Sequence, residues 1–215
     1  MNIKNLFFVF CFLILSFCLI KAEEKKEEKI YLSADNAEYY YDEKAELTTF
    51  LQGNVFCKSG ETEFYADEAK VYKKGETVFL QKNIKIIDKK RNFTLFGNEA
   101  FYEKTKKYIK VIGPSKLISD DMEVKGEIIE IFGEEKIAKI QGIVDFTKKE
   151  IKAQASSAIY YDVDRKIEFI DNAKIWKEKE LEIIGKKITY YLDNKKLIIE
   201  GEVKANIIPK QEEKK

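Results

Sequence analysis

Val78-Phe79-Leu80-Gln81-Lys82-Asn83-Ile84-Lys85-Ile86 is the stretch that decides how this chain folds. Counted from Lys82, the residues at offsets −4, −2, +2 and +4 are all apolar, while three of the four at odd offsets are polar. A period of 2 cannot keep one face of a helix apolar, because a helix turns every 3.6 residues. The stretch is therefore a strand with one buried and one wet face. The same nine-residue pattern recurs around Gly53, Gly113, Gly142, Asp171 and Gly201, and 22 of the 24 residues at those four offsets are apolar, Thr49 and Ser115 being the exceptions.

Between these centres runs a second series, marked by a small residue at Ala34, Ala66, Gly97, Gly126, Ala155 and Gly185, in steps of 32, 31, 29, 29 and 30. In the last five units the centre follows its small residue by 16 positions, and in the first by 19. A fixed period of this length means that one supersecondary unit is stacked many times, each copy unable to bury its apolar face alone. Around the small residue the alternation changes phase: Phe93 and Leu95 precede Gly97 by even steps, but Ala100 and Tyr102 follow it by odd ones. Ile30, Leu32, Ala37 and Tyr39 repeat this, as do Leu181, Ile183, Ile188 and Tyr190. The odd step predicts an extra residue in this strand, a bulge or corner at the small residue.

Short polar turns such as Lys73-Lys74-Gly75, Glu103-Lys104-Thr105-Lys106 and Asp193-Asn194-Lys195 fall at the same place in each unit. Two strands and a turn per unit give about twelve strands in six repeats of about 30 residues. No segment reads as a soluble helix, and only Pro114 and Pro209 interrupt the chain. The fold class is all-β, a stack of bent strands with an apolar stripe in register through every copy.

Residues 1–22 stand apart. Lys4, the apolar run of 15 from Leu6 to Ile20, and Ala22 before Glu23-Glu24 have the layout of an export signal, and the run is short for a membrane span of about 20 residues. Cleavage after Ala22, retention as an inner-membrane anchor and lipidation at Cys18 are the three fates open to it. Residues 23–29 read as a charged linker, 30–208 as one domain and 209–215 as a charged tail. Without residues 1–22 the chain carries 37 basic and 38 acidic residues, a net of −1, so no basic excess points to nucleic acid.

The inventory of reactive groups is thin. The chain has no histidine, which removes the usual general base and the commonest zinc ligand, and Cys57 is the lone cysteine after the signal. Its place on an apolar strand face makes it a buried residue rather than a nucleophile. Asp35, Asp67 and Glu127 recur beside the small residues, where acids accept hydrogen bonds from backbone amides freed by a bend. Asp162 and Asp164 lack the glycine and further ligands of a calcium loop. No catalytic, metal or cofactor site can be written. Tyr39, Tyr102, Tyr160 and Tyr190 share one repeat position, as packing or as a sugar- or lipid-contacting row.

Ala34-Asp35-Asn36-Ala37-Glu38-Tyr39 with Leu51-Gln52-Gly53-Asn54-Val55, and Tyr65-Ala66-Asp67-Glu68-Ala69 with Gln81-Lys82-Asn83-Ile84, resemble the OstA-like domain of LptA-type lipopolysaccharide transport proteins. The pattern covers residues 30–207 and the close match the first two units; later units, such as Gly126-Glu127-Ile128-Ile129 and Gly142-Ile143-Val144, keep only the small and apolar positions. The resemblance implies a twisted β-jellyroll of V-shaped strands, non-enzymatic, whose interior takes the acyl chains of lipid A in the periplasm. It further implies edge-strand pairing with other OstA-like proteins and end-to-end homo-oligomers.

On that reading the lipid-binding stripe is Leu51, Val55, Leu80, Ile84, Val111, Leu117, Ile140, Val144, Phe169, Ile175, Ile199 and Val203. Burial of each acyl methylene in such a stripe stabilises by about 0.8 kcal/mol. A membrane-anchored LptC-like component and a ligand-free structural β-solenoid are the competing readings. An enzyme acting through Asp35 or Asp67 is the remaining one.

Overall fold

The protein was analysed as a computed structural model, which describes residues 30–41, 46–177 and 181–207. Apart from one 3₁₀ turn at Lys73–Gly75, its regular elements are all strands. They are β1 (Ile30–Ser33), β2 (Asn36–Tyr41), β3 (Leu47–Ser59), β4 (Thr62–Tyr72), β5 (Thr77–Asp88), β6 (Phe93–Glu103) and β7 (Tyr108–Ser119). There follow β8 (Met122–Phe132), β9 (Ile137–Lys148), β10 (Ile151–Tyr161), β11 (Lys166–Lys177), β12 (Leu181–Tyr191), β13 (Leu197–Glu200) and β14 (Lys204–Ile207). All lie in one antiparallel 14-stranded sheet, in which successive strands from β3 to β13 pair with one another. β1 and β2 both pair with β3, and β13 and β14 both with β12, so each couple is one bent strand interrupted at its corner. Counted that way the sheet has the twelve bent strands expected, joined as a meander of hairpins.

The corner is built differently from the expectation. Opposite Asn98 of β6 stand two residues of β5, Lys82 and Asn83, because Gln81 pairs with Glu99 and Ile84 with Gly97. The same two-against-one arrangement sets Gly53-Asn54 against Asp67, Gly113-Pro114 against Glu127, Gly142-Ile143 against Ser156, and Asp171-Asn172 against Lys186. The extra residue thus lies on the centre strand and not on the small-residue strand. The latter turns the corner in three steps, Gly97 to Ala100, while its neighbour takes four, Leu80 to Ile84. An even count leaves the period-2 pattern undisturbed, which is why the bulge is invisible in it.

Lys82 and Asn83 both adopt positive φ, 65° and 52°, and both point to solvent. Pro114 and the β-branched Ile143 are unsuited to that region, so the glycine before each takes a more open φ alone, 100° at Gly113 and 85° at Gly142. The small residue opposite has a packing reason. A Cβ on Gly126 would lie 2.6 Å from Ile140 Cγ2 and 3.0 Å from the Gln141 carbonyl oxygen, because the inward side chain just before the next centre crosses over it.

Each bent strand has two limbs, and the limbs face one another. Phe64 on one limb packs at a tilt against Tyr102 on the other with ring centroids 4.8 Å apart, and Phe146 meets Phe169 edge-on at 5.3 Å. The residues between the limbs form one continuous apolar cluster from β3 to β12. Ser115, a polar exception of the stripe, is buried there and donates its hydroxyl to the Gly113 carbonyl at 2.9 Å. The export signal at residues 1–22, the charged linker at 23–29 and the charged tail at 209–215 lie outside the described residues.

Candidate functional site

Of the twelve stripe residues, ten are buried between the limbs: Leu51, Val55, Leu80, Ile84, Val111, Leu117, Ile140, Val144, Phe169 and Ile175. The spacing puts them there because both limbs of a centre strand keep the same alternation across the bulge. The other two belong to the last unit. Ile199 is half-buried, and Val203 is 55% exposed, a correction to its expected interior place. The cause is position, since β13 and β14 pair only with β12 and no described strand lies beyond to cover them.

The interior is mostly filled. Leu80, Ile86, Leu95, Ile109, Val111, Ile129, Val144, Ile167 and Phe169 have essentially no accessible surface, as in any well-packed core. Space remains at the limb tips. A cavity of about 320 Å³ opens in the seam between them, with Phe93, Leu117 and Met122 on one wall and Ile131, Ala138 and Tyr160 on the other. Of the stripe only Leu117 lines it. Of the other wall residues, Ala138 holds offset −4 from Gly142 and Tyr160 belongs to the tyrosine row, while Phe93, Met122 and Ile131 lie at strand ends, beyond the four offsets that define the stripe. The signal was present in Phe93, which follows a polar turn yet is apolar and inward.

Outside, a depression of about 790 Å³ lies over the corners of β6 to β9, lined by Phe96, Ile112, Pro114, Ile128 and Ile143. Ile143 is 73% exposed, and its position, one past a centre, was not among the expected apolar sites.

The remaining candidates have structural roles. Asp35 accepts a hydrogen bond from Asn54 Nδ2 at 2.9 Å, and Asp67 one from Asn83 Nδ2 at 2.7 Å. Both acids brace a corner, but their donors are carboxamides where backbone amides were expected. Glu127 lies over Gly142 in the same way. The tyrosine row is split: Tyr102 and Tyr190 are buried, Tyr160 is half-buried with its hydroxyl donating to Asp162, and Tyr39 is 66% exposed. Cys57 is buried and free, and burial pushes its thiol up to about 12, so it is no nucleophile.

The geometry is that of a long apolar sandwich with unpaired strand edges at both ends of the described sheet. No curated protein matches the chain in sequence. Among solved structures it is similar to LptH of Pseudomonas aeruginosa, described as the LptA homologous periplasmic component of the conserved lipopolysaccharide transport device. That match has 17% identity, covers 85% of this chain and 97% of the other, and superposes with a TM-score of 0.26. The model of the LptA/(LptD N-terminal domain) LPS transport protein family matches residues 31–196, most of the chain. With its repeat, its bent strands and its apolar interior matching that assignment, the chain belongs to the LptA/LptD N-terminal domain family of lipopolysaccharide transport proteins.

Proposed function

We propose that this protein is a non-enzymatic periplasmic carrier that binds lipopolysaccharide by its acyl chains and bridges inner and outer membranes together with other proteins of its fold. One observation carries the reading: the apolar cluster runs unbroken from β3 to β12 and reaches the surface at the seam cavity and at the last unit. Acyl chains need apolar surface and no directional polar partner, and a sandwich held by side-chain packing can part to admit them. The unpaired edges of β1/β2 and β13/β14 supply backbone donors and acceptors for a neighbouring copy or another OstA-like protein, by β-augmentation.

Mass spectrometry of lipid extracted from protein purified from the native periplasm tests this. A lipid A species in stoichiometric amount supports it, and lipid-free protein supports the structural solenoid. A second reading, the LptC-like component, is favoured by the apolar run Leu6–Ile20. N-terminal sequencing separates the two: a mature chain starting at Glu23 belongs to the carrier, and one retaining the run belongs to the anchored form.

A further inference from the structure

The seam cavity has a polar mouth as well as an apolar floor. Arg91, from the turn between β5 and β6, donates from Nε and Nη2 to Asp88 Oδ2 at 2.9 and 2.7 Å, and its backbone amide donates to Asp88 Oδ1 at 2.8 Å. Asp88 is 4% exposed, and the guanidinium lies over the Phe93 ring with its carbon 4.9 Å from the centroid. The side chain is therefore fixed. Its third nitrogen, Nη1, is buried and has no hydrogen-bond partner among the described residues. It faces across the seam, where a Cβ on Gly133 of the opposite limb would stand 3.1 Å away. An occluded, unsatisfied donor is costly, and an anion lodged beside it would remove that cost.

Three more cations line the same cavity. Lys90 and Lys136 hold no ion pair among the described residues, and Arg165 donates to the Tyr160 hydroxyl at 3.2 Å and pairs with Asp193 at 3.5 Å. Two acids share the lining, Asp120 accepting from Asn92 and Asp162 from Tyr160, and Asp88 and Asp193 hold the two arginines, so the donors left for an anion are Arg91 Nη1 and the ammonium groups of Lys90 and Lys136. A guanidinium with a free edge suits a phosphate oxygen better than a lone ammonium does. At about 320 Å³ the cavity is at the small end for ligand pockets, the size for one chain and not a sheaf of them.

We infer that this mouth is a recognition site for the phosphate of an anionic amphiphile, with Arg91 as the fixed contact, the other cations around it, and one acyl chain taken by the apolar floor. The inference rests on the chain being a lipid carrier, but it makes its own demand: the seam prefers charge.

Calorimetric titration of the full mature chain with decyl phosphate, decyl glucoside and inorganic phosphate, each amphiphile below its micelle point, tests it. Decyl phosphate binds at least about tenfold more tightly than the glucoside, and inorganic phosphate fails to compete at equal concentration. Arg91→Gln lowers affinity for decyl phosphate about tenfold and leaves the glucoside unchanged. Should that variant lose its β circular dichroism, because Asp88 is left without its cation, the double variant Lys90→Gln/Lys136→Gln decides. Its side chains hold nothing in the fold, and it weakens decyl phosphate by about threefold to tenfold with no effect on the glucoside.

Equal binding of the two amphiphiles, inorganic phosphate binding as well as decyl phosphate, or a folded variant that binds like the parent overturns the inference. If neither amphiphile binds while lipopolysaccharide still co-purifies, the seam site falls and the carrier stands. If decyl phosphate binding depends on these cations while no lipid co-purifies, the carrier falls instead.

Discussion

The middle of this sheet and its two ends are written in the same repeat, yet they are buried very differently. Tyr102 and Tyr39 occupy one repeat position and are 7% and 66% exposed; Val144 and Val203 occupy another and are 0% and 55% exposed. β2 is exposed along its whole length, whereas the equivalent limb of β6 is half or fully buried after its corner. Nothing in the unit itself separates these cases. Burial here is given by neighbours, and a unit at the rim lacks one.

That contrast predicts unequal costs for equal truncations. Phe169→Ala, in the middle, loses about 3–5 kcal/mol in urea unfolding, while Tyr39→Ala at the rim stays within about 0.5 kcal/mol. A similar loss at both sites would mean that the rim is covered in solution, and repeating the measurement across protein concentration would show whether a second copy covers it.

Overpacking comes next in size. Gly126→Val puts atoms where Ile140 and the Gln141 carbonyl already are, and costs about 1–3 kcal/mol by the same unfolding measurement. Asn83→Ala removes the carboxamide that Asp67 accepts at the exposed corner and costs about 0.5–1.5 kcal/mol. A neutral result there would mean that water replaces the corner bond without loss.

The smallest effect is electrostatic and should be seen in acid. Lys89 donates to Glu63 at 2.5 Å, and with Lys58 beside it holds that carboxyl below its ordinary value of 4.5. A folded value below the unfolded one stabilises fully above 4.5 and fades as the pH falls through the lowered value. Glu63→Gln therefore lowers the unfolding midpoint at pH 7, and the difference from the parent shrinks as the pH falls from 7 to below 4.5. A constant difference across that range would contradict the pairing.

How legible this was depends on where one looks. The stripe from Leu51 to Ile175 was readable because each residue's side is fixed by parity, and parity survives the corners. The corners were legible as bends but not in detail, since Lys82 and Asn83 add a residue without shifting the even count. Val203 could not be judged from its pattern, because exposure at the rim is a property of the stack. The seam was the least legible part: Arg91, Gly133 and Arg165 lie in turns of opposite limbs, and only the closing of the limbs brings them together.

Passage of lipid between the limbs can be read in living cells by placing a photoactivatable phenylalanine analogue at Leu117, at Ile140 and at the outward-facing Ile143. Lipopolysaccharide adducts are expected at Leu117 and Ile140 and none at Ile143. Adducts to protein alone at both interior positions, in protein that accumulates normally, would contradict it.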